Sequence, residues 1–549
     1  VKPAELVRYW HTIRYLRPVQ IYGRACFRLH TPRPDKRPAP PPRPTKSFWQ
    51  NCARLPRQTG PSQFTFVGQT REIAEPADWN RADWPKLWLY NLHYFDDLVA
   101  DGANQRVEWH RDLVARWIAE NPPGQGNGWE PYPLSLRLVN WCKWLLRGNE
   151  PIDGMLDSMA VQIRFLRGRL ERHLLGNHLW ANLKALVLAG TFFQGKEADR
   201  WRREALKLFR SELAEQVLPD GGHIERSPMY QATLTEDLLD LIQLDRAFPD
   251  VLPAQDVDSW REQARAMLDW LEVMSHPDGG LSFFNDAAFD IAPSLAALSA
   301  HARTVGLNWQ GQQLEDAVHL DASGFVRVAR GPAVALLDVA PIGPDYLPGH
   351  AHADTLSFEL SLGEQRVLVN GGTSTYENND QRRLERSTAM HNTVIVDGQD
   401  SSEVWDAFRV ARRARVRDVS VSRSDGDLII EAAHDGYRRL PGRVTHRRGW
   451  RMDDHRLLIE DRLDGAFSSA EARFRLAPGM SITGSGESRG QVSAAGIGLG
   501  WSCEGGKARI EDGYWHPRFG KSLPCKVLVI QFKGDRISTM FEWQQDPGE

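Results

Sequence analysis

The chain is poor in cysteine: Cys26, Cys52, Cys142, Cys503 and Cys525 are the only five in 549 residues. No two stand in a CxxC pair, and five cannot all pair internally, so neither a zinc cluster nor a disulfide scaffold is indicated. Charge of one sign is lacking as well, since 68 Lys and Arg stand against 71 Asp and Glu for a formal net charge of -3. That balance gives no general attraction to nucleic acid, and an anionic ligand must be held by a local cluster of Arg and Lys. No apolar run is long enough to span a bilayer, and the opening VKPAELVRYWHTIRYLRPVQ has no signal-peptide apolar core. A Ser-His-Asp signal, a phosphate loop and a dinucleotide fingerprint are also missing, which disfavours nucleophilic and nucleotide chemistry.

What is present is an ordinary globular composition, 41% hydrophobic and 25% charged, with enough length for two or more cores. Twenty Trp exceed what a core of this size usually needs. Most are expected to be packed, but aromatic faces also serve as platforms for sugar rings, and Trp129 and Trp180 are the candidates for that role.

Three regions follow from patterning. Residues 1–80 hold a segment with helical spacing (Leu6, Tyr9, Trp10, Ile13, Leu16) and then TPRPDKRPAPPPRPTK, where Pro forbids regular structure and an extended, exposed connector is expected. Residues 81–315 are apolar at three- and four-residue steps, as in VNWCKWLL, HLLGNHLWANLKALVLAG and TEDLLDLIQLDRAF. Asp220-Gly221-Gly222 and Asp278-Gly279-Gly280 repeat at the ends of two helices, so paired helices closing on one kind of turn predict an α/α toroid. Residues 316–549 switch to short runs of period two (GFVRVARG, AVALLDV, LSFELSL, NTVIVDGQ, KVLVIQF), which predict an antiparallel β-sandwich.

Four motifs concentrate chemistry. In GNHLWANLKAL, Asn177, His178, Asn182 and Lys184 interrupt an apolar helix. DGGHIERSPMYQ is dense in His223, Glu225, Arg226 and Tyr230, and an Arg beside the Tyr would lower its phenol pKa. PGHAHADTLSFEL puts His350, His352 and Asp354 on alternate positions, on one face with Leu356, Phe358 and Leu360 if the chain is extended there. ERSTAMHNTVIVDGQD carries Arg386 and His391 before a β-run. Taken one at a time, each motif is as readily a set of inter-element hydrogen bonds as a site.

Together with LWLYNLHYFDDL (87–98) and NGWEPYPLSLRLVNWCKWL (127–145), their order and spacing resemble the heparinase II/III-like family of polysaccharide lyases. The resemblance implies an incomplete α/α toroid followed by an antiparallel β-sandwich. It also implies β-elimination beside a uronic acid in an anionic polysaccharide, either a heparin or heparan-sulfate type or a bacterial exopolysaccharide or O-antigen. On that reading Asn177 and His178 hold the uronate carboxylate, while Tyr230 and His350 transfer protons at C5 and O4. Arg226, Arg386 and Arg409 are then candidates for carboxylate or sulfate contacts, with Arg382 and Arg383 beside them. The resemblance further implies a structural divalent metal, zinc or calcium, on His352, Asn370 and His391, where Asn370 stands in the place of an Asp. Asp354 is assigned to support of the same loop. No organic cofactor and no nucleic acid partner is expected, and a periplasmic or secreted location in a bacterium is expected, with the cytoplasm as the alternative. Two other readings stay open: an inverting glycoside hydrolase using Glu225 and Asp286, and a polysaccharide-binding protein without turnover.

Overall fold

The computed structural model describes residues 3–483, 486–494 and 497–543. Helices α1 (Pro3–Ile13) and α2 (Pro18–Leu29) open the chain. The Pro-rich stretch after them is extended, but it is a strap laid on the helical domain rather than a free connector. The Ala39 N–H donates to Asp157 at 2.7 Å, the Arg43 N–H to the Phe192 carbonyl at 2.7 Å, and Arg164 reaches the Arg37 carbonyl at 2.6 Å. Its backbone donors are thus satisfied by neighbours that the local sequence does not show. A three-stranded sheet follows, β1 (Gln58–Gly60), β2 (Gln63–Phe66) and β3 (Gln69–Glu72), with strands too short to carry a readable period.

The helical domain comprises α3 (Lys86–Tyr94), α4 (Val107–Glu120), α5 (Pro131–Leu146), α6 (Met155–Arg167), α7 (Gly176–Phe192), α8 (Lys196–Gln216), α9 (Pro228–Ala247), α10 (Ala254–Val273) and α11 (Leu295–Thr304). It is an incomplete α/α toroid. In α7 every side chain except that of His178 is buried, as expected of a helix packed on all sides, and α5, α8 and α9 surround it. The two Asp-Gly-Gly turns are the same structure. Asp220 Oδ1 accepts the Gly222 N–H at 3.0 Å and Asp278 Oδ1 the Gly280 N–H at 2.8 Å, while the middle glycines sit at φ 83° and 77°. Only glycine enters that left-handed region without strain. Each turn delivers a carboxylate a few residues on, Glu225 from the first and Asp286 from the second.

The sandwich begins with the meander β4 (Ala317–Leu320), β5 (Phe325–Arg330), β6 (Ala333–Asp338), β7 (Phe358–Leu362) and β8 (Gln365–Leu368). Strand β6 is buried along its whole length because both faces are covered: Val334 and Leu336 join the helical core, whereas Ala333, Ala335 and Leu337 join the sandwich core. After it come β9 (Val394–Val396), the hairpin β10 (Val404–Trp405) and β11 (Arg409–Val410), then β12 (Val416–Ser424), β13 (Asp427–His434), β14 (Thr445–Met452), β15 (Arg456–Asp464), β16 (Ala470–Arg475), β17 (Ser481–Thr483), β18 (Arg489–Ala494), β19 (Ile497–Glu504), β20 (Gly506–Arg518), β21 (Lys521–Phe532) and β22 (Arg536–Trp543). These form an eight-stranded antiparallel sheet in the order β12-β13-β14-β15-β22-β19-β18-β17 and a four-stranded one in the order β20-β21-β16-β9. Leu428, Ile459 and Phe541 from the first meet Phe474, Leu528 and Ile530 from the second in one core.

Candidate functional site

Residues 350–355 are not part of a strand, since β7 begins only at Phe358 and Leu356 adopts φ 62°. A turn closed by the Ser357 N–H on the Asp354 carbonyl at 2.8 Å breaks the alternation expected for this stretch. The loop's two histidines converge instead on one carboxylate from the helical domain. His350 Nδ1 donates to Asp286 Oδ2 at 2.8 Å, and His352 Nε2 donates to Asp286 Oδ1 at 2.8 Å. Asp286 also accepts both terminal nitrogens of the fully buried Arg382 and the Thr373 hydroxyl at 3.3 Å. Burial opposes its charge, but Arg382 and the two histidines outweigh that and hold the carboxyl well below the usual range. Burial pushes His352 down to about 4, so that ring is neutral at neutral pH.

With Nδ1 committed to Asp286, His350 turns Nε2 to the cleft, where Asn177 Nδ2 lies at 3.3 Å and Glu225 Oε2 at 3.6 Å. Asn177 stands in the first turn of α7, and both its backbone N–H and its amide donate to Glu225 Oε1 at 3.0 Å. The positive end of the helix therefore faces a carboxylate. Burial opposes the Glu225 charge, yet His350, His223 and the Asn177 bonds keep its carboxyl below the usual value. Gly176 allows this approach: it sits at φ 53°, and a Cβ there would fall 2.4 Å from Leu347 and 2.7 Å from Glu225 Oε1.

The Tyr230 ring lies over His350, centroids 4.1 Å apart, and its hydroxyl meets the Tyr376 hydroxyl at 3.2 Å. Burial, followed by Tyr376, raises the Tyr230 phenol well above its ordinary value. This corrects the expectation of a lowered phenol, because Arg226 points elsewhere, donating to the Ser323 carbonyl at 2.8 Å and the Ile224 carbonyl at 3.2 Å. His178 has Glu171 Oε1 at 3.2 Å; burial opposes its protonation, but Glu171 prevails and raises its pKa. Asn177, His178, Tyr230, His350 and Tyr376 all line one cavity of about 870 Å³.

The structure thus brings together Asn177, His178, Tyr230 and His350. It does not bring the expected sugar contacts into the cavity those four share. Trp180 is fully buried against Phe209, and Trp129 is buried beside Trp117, where it lines a second, smaller cavity that His178 also borders. Arg226 and Arg386 are spent on buried carbonyls, Arg386 bonding the Ala351 carbonyl at 2.9 Å. Arg382 is the buried partner of Asp286, Arg383 pairs with Asp380, and Arg409 lies beside Asp406 at 3.4 Å, outside the residues that line the cavity. Buried carbonyls and a buried carboxylate claim Arg226, Arg382 and Arg386 first, whereas Arg383 and Arg409 stand in solvent-exposed pairs. Two members of the site were missed or misread from sequence. Tyr376 lies in an irregular segment with no signal, and Asp286 reads in sequence only as a hydrolytic acid.

This arrangement, a tyrosine packed against an aspartate-held histidine beside an asparagine at a helix N-terminus, occurs where the family models match. Residues 150–302 match the heparinase II/III N-terminus and residues 312–544 the heparinase II/III-like C-terminal domain. The chain belongs to the heparinase II/III-like family. Among curated relatives, this family member is 26% identical over 409 residues to FtsZ-localized protein C of Caulobacter vibrioides, covering 69% of this chain and 64% of that protein. It is 25% identical over 325 residues to the heparin-sulfate lyase of Pedobacter heparinus, covering 52% and 47%. The chain therefore matches about half to just under two thirds of the length of these relatives. Among solved structures, heparinase III aligns with a TM-score of 0.69 at 17% identity over 87% of this chain and 80% of that one. A heparan sulfate lyase mutant from Pedobacter heparinus aligns with a TM-score of 0.61 at 18% identity over 97% and 88%. Both are likenesses of fold.

The family resemblance implies a metal on His352, Asn370 and His391, and the donors present there are few. His352 Nδ1 and His391 Nε2 lie 3.2 Å apart, and Asp286 holds the other His352 nitrogen, as a carboxylate also does behind a metal-bound imidazole, so the donor count decides. Asn370 spends its amide on the Ser357 hydroxyl at 3.3 Å and the Asn392 N–H at 3.2 Å. Among the described residues, no three or more His, Cys, Asp or Glu are grouped as metal ligands. Two imidazoles and one neutral amide fall short of the closed four-donor set of structural zinc, and further short of the oxygen-rich set of calcium. The residues do not fit a structural divalent metal, and hydrogen bonds through Asp286 hold this loop.

Proposed function

We propose that this chain is a polysaccharide lyase that cleaves a uronate-containing polymer by β-elimination. The observation that supports it most is the placement of three proton-handling or carboxylate-binding groups around one point of the cavity: the cleft-facing Nε2 of His350, the Tyr230 phenol packed against that ring and the Asn177 amide. Asn177, helped by His178, draws charge from the uronate carboxylate and so acidifies C5. His350 Nε2 takes the C5 proton; Asp286 keeps the correct tautomer and stabilises the imidazolium that forms. The C4–O4 bond breaks, a C4–C5 double bond forms, and the leaving oxygen takes the proton of Tyr230, whose raised pKa keeps it protonated until then.

A hydrolytic reading on Glu225 and Asp286 loses support from the same geometry. Both carboxylates flank one imidazole ring, Asp286 is saturated by buried donors, and both are held below the usual carboxylate range. A general acid needs a raised pKa.

The cavity lining favours a sparsely sulfated polymer. Of its six lysines and arginines, Arg54, Lys86, Lys143, Lys184 and Arg518 each pair with a carboxylate, and Arg57 is the one that does not among the described residues. Little positive charge remains for dense sulfate, whereas one carboxylate per disaccharide is met by Asn177 and His178. Purified protein incubated with sulfated and unsulfated uronate polymers in labelled water decides the matter. An unsaturated, ultraviolet-absorbing product without label supports the lyase, a labelled reducing end shows hydrolysis, and no product from any polymer leaves a binding protein.

A further inference from the structure

Helices α1 and α2 are seated on one side and bare on the other. The inward side of α2 is well fixed: Gln20 donates to the Tyr346 carbonyl at 2.9 Å, Arg17 pairs with Glu215 at 2.5 Å, and the Phe27 ring meets His173 at 4.3 Å. The inward side of α1 is fixed on the hairpin β10–β11. Tyr9 packs edge-on to Trp405 at 5.1 Å, and the Trp405 indole N–H donates to Thr12 at 3.1 Å.

The outward sides are apolar. On α1, Leu6, Trp10 and Ile13 follow at helical steps on one face, with Val7 beside them; on α2, Tyr22 and Leu29 share a face at a seven-residue step, with Ile21 beside them. Trp10 is 64%, Tyr22 59% and Leu29 88% exposed. An exposed patch of this kind marks an interaction site. Its charge is equally particular. Residues 3–30 contain five arginines and one carboxylate, Glu5, in a chain whose formal net charge is -3; Arg8 lies 3.8 Å from Glu403 and Arg17 pairs with Glu215, so Arg14, Arg24 and Arg28 are the cations left for the outward face. Arg24 lies near Arg28 and Arg409; burial and then the charges of those two hold it below its ordinary value.

We infer that the outward face of α1 and α2 docks on an anionic lipid surface. Large aliphatic side chains with Trp and Tyr among arginines suit the boundary between headgroups and acyl chains, where apolar groups enter and guanidinium groups stay with phosphates. A sugar platform needs flat rings, and most of this face is branched aliphatic. The hairpin beneath α1 carries Phe408, which lines the cavity, so docking sets the cleft mouth near the lipid surface.

The test is sedimentation of the full chain with vesicles of phosphatidylcholine alone and of phosphatidylcholine mixed with phosphatidylglycerol. Binding should be at least about tenfold stronger to the mixed vesicles and should be lost at high salt, as electrostatic capture requires. The variant Trp10→Ser with Leu29→Ser should lose binding with an unchanged melting temperature. Arg24→Glu with Arg28→Glu should lose the preference for the anionic vesicles. Turnover of soluble polymer should be the same in both variants, which separates this docking from the lyase reading. Absence of binding to either vesicle, or equal and salt-insensitive binding to both, would overturn the inference. So would self-association in sedimentation velocity that Trp10→Ser abolishes, because the face would then cover a second copy.

Discussion

Tyr230 shows how far a single side chain can be assigned from its surroundings. Its ring is fixed by His350 and its hydroxyl by Tyr376, so Tyr230→Phe removes one oxygen and leaves the packing. Turnover should fall by about a hundred- to ten-thousand-fold with nearly unchanged binding; a variant releasing unsaturated product at the wild-type rate would sink the assignment. Asp354 offers a test in pH. Burial pushes this carboxyl up to about 7, against the opposing hydrogen bond from the Asn285 N–H, and Asp338 beside it is also pushed up by burial and by Asp354. A folded pKa above the unfolded one contributes stability at low pH that is lost as pH rises through the folded value. The melting temperature should therefore decline between about pH 4 and pH 7, and Asp354→Asn, which keeps an acceptor for Asn285, should flatten that slope. Parallel slopes for the two proteins would refute the coupling.

At the scale of elements, the site is a junction of loops rather than the end of a strand. Asn285 ties three of them: its amide donates to the Arg226 carbonyl at 2.9 Å, its side-chain oxygen accepts the His352 N–H at 3.0 Å, and its backbone N–H reaches Asp354 at 2.9 Å. Asp286 in the next position carries both histidines and Arg382. Asp286→Asn leaves the Arg382 charge buried and uncompensated, so a loss on the order of 3–5 kcal/mol is expected in denaturant titration, together with lost activity. The same loop should be indifferent to metal removal. A chelator should leave the melting temperature unchanged, whereas Asn370→Asp, which adds the missing charge beside His352 and His391, should create chelator-sensitive stability measurable with elemental analysis.

For the whole molecule, the shared strand β6 matters most. Val334 and Leu336 belong to the helical core and Ala333, Ala335 and Leu337 to the sandwich core, so the two domains are one packed unit across this sheet. A fragment of residues 316–549 would expose an apolar sheet face to water. It should sediment as aggregate, while the full chain does not; a monodisperse fragment with native sandwich signals would contradict this. Among the described residues, no helix is long and apolar enough to cross a membrane.

Periodicity alone separated the helical half from the sheet half, because three- and two-residue steps are properties of neighbours along the chain. The repeated Asp-Gly-Gly turn was legible for the same reason: glycine at a positive φ and an aspartate capping the next amide are local requirements. The motif resemblance also picked out Asn177, His178, Tyr230 and His350, which line one cavity. Partnership was not legible. Arg226, Arg382 and Arg386 read as free cations in sequence, and Trp180 as a sugar platform, yet each is buried by groups from distant segments. Asp286, 64 positions from His350, could be joined to it only by folding. A charge seeks its nearest opposite charge in space, and where that charge lies was decided by the packing of the toroid against the sandwich.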